Sequence, residues 1–203
     1  MLRSELQEAR ELLRREARLQ RRSFQGAERR SAERSISQHL INFFSAQLPK
    51  TTQMPIVLGA FRAFDGEPSL EPLITWVSDQ PQISILYAQI PEASDGEETR
   101  RLSFVKAERW TTWRGSCPQP VGDPYPWESL THILVPGLLF DKGGYRIGLG
   151  AGYYDQTLSQ EPTPCSVGVA FAFQRVEKVP RAPWESPLSA VVCERGFDWS
   201  GPA

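Results

Sequence analysis

The run Leu134-Val135-Pro136-Gly137-Leu138-Leu139-Phe140-Asp141-Lys142-Gly143-Gly144-Tyr145-Arg146-Ile147-Gly148-Leu149-Gly150-Ala151-Gly152-Tyr153-Tyr154-Asp155 decides how this chain is read. It begins in a short apolar strand, His132–Val135, and ends in a predicted helix from about Gly152 to Gln160. Between them, residues 141–155 hold five glycines, one arginine and two aspartates. A strand feeding a glycine-rich turn and a helix is an α/β unit, and in open α/β sheets ligands bind beyond the carboxyl ends of strands. Gly148, Gly150 and Gly152 let backbone N–H groups approach phosphate oxygens without Cβ interference. The start of the following helix is expected to add free N–H groups and a positive dipole end. Arg146 offers a planar fork to a phosphate. Asp155 is the logical Mg²⁺ carboxylate, because phosphoryl transfer places magnesium against the β/γ oxygens. No Gly-Lys-Ser/Thr closes the loop, and it lies too late for a dinucleotide fingerprint. The residues alone therefore say anion or nucleotide loop.

Working outward, Leu2, Leu6, Ala9, Leu13 and Ala17 recur at helical spacing and predict an amphipathic helix through about residue 22. A second helix follows with Ile36, Leu40, Phe43, Phe44 and Leu48 inward and Pro49 at its end. The period then changes. Residues 56–61 and 83–90 read as buried strands, 102–105 as a third, with 166–171 and 190–193 as two more. Ser69 is placed to cap a short helix carrying Leu70, Leu73, Ile74 and Val77. Residues 115–128, with four prolines, predict an irregular loop whose Trp127 and neighbouring Trp113 cover something. Helices alternating with short apolar strands indicate α/β architecture: a mostly parallel sheet with helices on both faces, as one domain spanning 1–203.

With 203 residues, 40% of them hydrophobic, one buried core is expected. Ten arginines and six glutamates leave residues 1–34 at +4, so the remainder carries −5 of the total −1. That total argues against a polyanion-binding protein, and the arginines of the first helix are expected to be mostly solvated, with one or two free to reach a phosphate. Cys117, Cys165 and Cys193 show no metal or disulfide spacing and suit reduced thiols in the cytoplasm. No apolar run approaches the roughly 20 residues of a membrane span.

The segment from Val135 to Asp155, with Gly148-Leu149-Gly150-Ala151-Gly152-Tyr153-Tyr154-Asp155 intact, resembles the signature of the 5-formyltetrahydrofolate cyclo-ligase family, also called methenyltetrahydrofolate synthetase. The likeness runs through nearly the whole chain. It implies the three-layer α/β/α fold of the sugar-phosphate isomerase and CoA-transferase kind. It also implies ATP- and Mg²⁺-dependent cyclisation of 5-formyltetrahydrofolate to 5,10-methenyltetrahydrofolate, with ADP and phosphate released.

The resemblance further implies roles. Arg10 and Arg14, four apart on one helix face, match nucleotide-phosphate contacts, although the family usually has lysine where Arg10 stands. Glu67 matches a folate contact; read without the family, it is a solvated turn carboxylate. Arg146, Gly148, Gly150, Gly152, Tyr153 and Tyr154 match nucleotide-binding positions, with Tyr153 also facing the folate. Ala151 stands where relatives have lysine or glycine. Asp155 matches a magnesium ligand, and Glu185, in the segment 179–185, stands for an aspartate as the second, one methylene longer and so in contact directly or through water. Trp113 and the Trp127 region are candidates to stack on the pterin. Arg146 and Asp155 are the catalytic pair. Reduced folate and ATP are then the partners of a cytoplasmic monomer that binds neither nucleic acid nor membrane. Two other readings stay open: an isomerase or transferase of a phosphorylated sugar or CoA ester, and a non-catalytic RNA-binding protein.

Overall fold

A computed structural model describes residues 3–48, 55–91, 100–182 and 185–200; Leu2, Pro49, Pro183 and Trp184 lie outside them. Helices α1 (Arg3–Ser23) and α2 (Gly26–Gln47) come first. Helix α2 buries Ala32, Ile36, Leu40 and Phe44, which fall on one stripe four residues apart. Burying each of its three large members is worth about 1.5–3 kcal/mol.

The chain then enters the sheet with β1 (Ile56–Ala60), α3 (Glu71–Ser78), β2 (Ile83–Gln89) and β3 (Ser103–Val105). Strands β4 (Arg109–Trp113), β5 (Cys117–Val121), β6 (Pro124–Tyr125) and β7 (His132–Val135) follow. After β8 (Leu139–Phe140), β9 (Arg146–Ile147) and α4 (Tyr153–Thr157), the chain closes with β10 (Cys165–Val169), β11 (Ala190–Cys193) and β12 (Gly196–Trp199). The large sheet runs β12-β11-β10-β7-β1-β2-β3-β6. The five strands from β11 to β2 are mutually parallel. Its edges, β12 on one side and β3 with β6 on the other, are antiparallel.

Alternation along the central strands feeds two cores. Leu58, Ile83, Leu134, Val167, Val169 and Val192 join α2 and α3 on one face. Leu86, Ile133, Val135 and Val191 point the other way, among Phe140, Leu158 and Leu188. Consecutive residues of one strand, such as Ile133 and Leu134, thus serve opposite cores, which is why these strands read as continuous apolar runs. Helices therefore cover the first face, whereas short segments around Phe140 and Leu158 fill much of the second.

Several local expectations change. The proline-rich stretch is not irregular: β4 and β5 form an antiparallel hairpin with Trp110 opposite Pro120 and Thr112 opposite Pro118. A two-stranded ladder has free outer edges, where a proline's missing N–H removes no ladder bond. Helix α4 ends at Thr157, well short of Gln160. Ser69 is not the cap of α3, whose N-cap is Leu70, although its Oγ accepts a bond from the Glu71 N–H at 3.3 Å. The strand expected to reach Phe171 stops at Val169 and passes into a 3₁₀ turn at Ala172–Gln174.

Candidate active site

Strand order fixes where a ligand can sit. From β1 the chain builds outward through β2 and β3, then returns to lay β7 on the other side of β1. The sheet therefore divides between β1 and β7, and a crevice opens beyond their carboxyl ends. A cavity of about 750 Å³ lies there, bordered by Phe61 and Arg62 after β1 and by Pro136 and Gly137 after β7. Helix α1 forms one wall with Arg10, Arg14, Arg18 and Arg21, and the glycine-rich loop forms another with Gly148, Gly150 and Gly152.

The loop is shaped by its glycines. Gly150 has φ +102° and Gly152 φ +77°, conformations that a side chain makes costly. A Cβ on Gly150 would also stand 3.4 Å from the Arg14 guanidinium. Arg14 Nε donates to the Gly148 carbonyl at 3.2 Å, tying α1 to the loop. The helix that follows has only five residues, so the expected dipole contributes little, and the positive charge at the cavity comes from the arginines that line it.

Arg146 emerges from β9 and is buried. Its Nη2 donates to Asp155 Oδ1 at 2.6 Å. Burial pulls this guanidinium below its ordinary range, and the charges of Asp155 and then Glu185 oppose that. Arg10 Nη2 meets Glu185 Oε1 at 2.5 Å, with both side chains largely covered. The residues expected at the phosphates and the residues expected at the metal are thus brought together and paired. Asp141, the loop's other aspartate, has a structural role. It accepts bonds from the N–H groups of Gly143, Tyr145 and Val179 at 2.9–3.1 Å.

Glu67 is not a solvated turn carboxylate. It is 6% exposed and accepts a bond from the Phe64 N–H at 3.0 Å. Burial pushes its pKa up to about 7 despite the opposing charge of Arg21. Tyr154 lines the same cavity, and its phenol is pushed up by burial and then by the charge of Glu67. Trp113, from the end of β4, meets the Tyr153 ring edge-on with centroids 6.3 Å apart, and both line the cavity. Trp127 does not join them. Its Nε1 donates to the Pro162 carbonyl at 2.8 Å and its ring packs beside Phe104, so it serves the fold.

The arginines of α1 are less solvated than expected. Arg21 is fully buried and donates to the carbonyls of Asp65 at 3.1 Å and Gly137 at 3.0 Å. Arg18, Arg21 and Arg22 all bond the Asp65 carboxylate. Helical spacing was the available signal, because Arg14, Arg18 and Arg21 share a face with Ala17 and Arg10. Gln119 was also missed: it lines the cavity and exchanges bonds with the Ile90 backbone at 3.4 and 2.7 Å. Its segment Pro118-Gln119-Pro120 carries part of the family likeness, but that likeness assigned no role to the glutamine.

A mostly parallel sheet with a cavity at its switch point, walled by arginines and a glycine loop, marks an α/β protein with a preformed ligand cavity. The profile of the 5-formyltetrahydrofolate cyclo-ligase family matches residues 6–194, and the chain belongs to that family. It is 27% identical over 188 residues to the 5-formyltetrahydrofolate cyclo-ligase of Haemophilus influenzae, covering 88% of this chain and 94% of that one. Against the Escherichia coli K12 protein of the same name, identity is 31% over 160 residues, with 73% and 86% covered. The structure of Aquifex aeolicus 5,10-methenyltetrahydrofolate synthetase superposes with a TM-score of 0.74 at 26% identity, covering 96% of this chain and 94% of that one. The Mycoplasma pneumoniae synthetase superposes at 0.71 with 20% identity, covering 91% and 98%, which speaks to the fold.

Proposed function

We propose that the chain catalyses ATP- and Mg²⁺-dependent cyclisation of 5-formyltetrahydrofolate to 5,10-methenyltetrahydrofolate, releasing ADP and phosphate. One observation carries the reading: in a chain of this family, a single cavity is lined by Arg10, Arg14, Arg146 and the loop glycines and equally by Glu67, Trp113 and Tyr153. The first set suits a polyphosphate. The second offers an aromatic wall and a buried carboxylate to a flat, N–H-bearing ring.

The chemistry follows from the substrate. The N5-formyl group is amide-like, and N10 cannot expel an oxide from it. The formyl oxygen instead attacks the γ-phosphorus and ADP leaves. N10 then adds to the activated formyl carbon and gives up its proton, and phosphate departs with the original formyl oxygen. Arg146, Arg14, Arg10 and the loop amides align and neutralise the phosphates, acting by position and charge. No covalent enzyme intermediate is required.

Asp155 and Glu185 are the proposed Mg²⁺ ligands, and their oxygen donors suit a hard cation. Among the described residues no three His, Cys, Asp or Glu side chains cluster as a metal site, so phosphate oxygens and water would complete the shell, as is usual for magnesium. When bound, Mg²⁺ would neutralise the β/γ oxygens.

The same reading takes residues 1–203 as one domain of the sugar-phosphate isomerase and CoA-transferase kind. It acts as a cytoplasmic monomer on reduced folate and ATP, without nucleic-acid or membrane partners. Arg10, Arg14 and Arg21 of α1 support this, because they line the cavity and are largely covered there. Among the described residues no helix is long and apolar enough to cross a membrane. The test is to incubate the protein with 5-formyltetrahydrofolate, Mg²⁺ and ATP and follow the near-ultraviolet absorbance of the methenyl product. Absorbance that grows without ATP, or not at all, overturns the proposal.

A further inference from the structure

Two arginines assigned to phosphates and two carboxylates assigned to a cation are each other's partners: Arg146 with Asp155 at 2.6 Å and Arg10 with Glu185 at 2.5 Å. The four charges also act on one another, since Asp155, Glu185 and Arg10 all bear on Arg146. Three of these side chains are 12% exposed or less, Asp155 being the one at 32%. A buried charge that loses its partner is strongly destabilising. A cation drawing Asp155 away would strand Arg146. A phosphate approaching Arg146 alone would meet the Asp155 carboxylate still bonded to it.

We infer that the cavity takes the divalent cation and the polyphosphate only as a pair, by partner exchange. Both ion pairs open together, the carboxylates turning to the cation and the guanidiniums to the phosphates. This rests on the assignment of ATP and Mg²⁺ to the cavity and adds the coupling between them. Arg10 already shows a spare donor: its buried Nε has no hydrogen-bond partner. Arg14 is different. Its carboxylate partner Glu11, 3.1 Å away, is 75% exposed, so Arg14 can meet a phosphate without stranding a buried charge. It provides what weak affinity the metal-free nucleotide has.

The experiment uses the full chain without folate. Calorimetry measures binding of ATP in EDTA and of ATP with excess Mg²⁺, and paramagnetic resonance measures binding of Mn²⁺ alone. Partner exchange predicts MgATP binding at least a hundredfold tighter than ATP in EDTA, and negligible Mn²⁺ binding at concentrations where MnATP saturates. The variant Asp155→Asn with Glu185→Gln frees both arginines. It should bind ATP in EDTA at least tenfold more tightly than the parent and lose the gain from Mg²⁺. If the double variant melts, Glu185→Gln alone should move metal-free ATP binding in the same direction. Mn²⁺ bound as tightly alone as with ATP, or no gain for metal-free ATP in the variants, overturns the coupling and leaves the ATP reading standing. No nucleotide bound in any mixture overturns both.

Discussion

Arg21 Nη1 lies 3.9 Å from Glu67 Oε1, and the Arg21 side chain is wholly buried. The same guanidinium bonds the carbonyls of Asp65 and Gly137, so one side chain of α1 links the segments that leave β1 and β7. It fastens the first helix to the division of the sheet on which the cavity depends.

Arg21→Ala would leave two carbonyls without that donor and the Glu67 carboxylate without its opposite charge. Breaking a buried pair in this way costs about 3–5 kcal/mol. Urea denaturation should show a loss of that order, and a loss below about 1 kcal/mol would contradict the role, being the range of ordinary surface pairs. Arg21→Lys should recover little, because an ammonium cannot span the Asp65 and Gly137 carbonyls as the planar fork does.

Glu67 also sets a pH dependence. Its carboxyl titrates near 7 in the fold, above its ordinary value of 4.5. Between those values the native state holds a proton that the unfolded chain has released. Stability from this group is therefore fully present below about pH 4.5 and is lost as pH rises through 7, by about 3 kcal/mol at most. Measured from pH 4.5 to 7.5, the stability of the parent should fall relative to Glu67→Gln. A constant difference between the two would contradict the burial of this carboxylate.

Asp155→Asn and Arg146→Ala should each lower turnover by about 10²–10³-fold, the usual cost of removing a charge-stabilising group from an active site. Circular dichroism should remain that of the parent. Near-normal activity in either variant would place the chemistry elsewhere.

The long periodic elements were legible because their signal is local. Ile36, Leu40 and Phe44 announce α2, and residues 132–135 announce β7 before the loop that holds Arg146 and Asp155. The hairpin of β4 and β5 was hidden by Pro118 and Pro120, which argue against a strand unless the strand has a free edge. Arg21 was hidden for another reason. Helical spacing sets it on the face of Arg10, Arg14 and Ala17, apart from exposed Arg22, but its burial depends on Asp65 and Gly137, far along the chain. The pairing of Arg10 with Glu185 is likewise a product of the fold: each residue was legible as a candidate, their contact was not.

Gly168 tests the packing behind the site. A Cβ at this position on β10 would come within 2.7 Å of Phe140 Cε1 and 2.9 Å of Leu188 Cδ1. Gly168→Ala should overpack the core by about 1–3 kcal/mol. Thermal denaturation should show a lowered midpoint, and an unchanged or raised midpoint would mean that Phe140 has room to move.

In the proposed reaction ATP activates the formyl oxygen itself. The direct measurement is a single turnover with 5-formyltetrahydrofolate carrying ¹⁸O in its formyl group, followed by mass analysis of the phosphate released. One ¹⁸O is expected in the phosphate for each methenyl product formed. Methenyl product accompanied by unlabelled phosphate would contradict it.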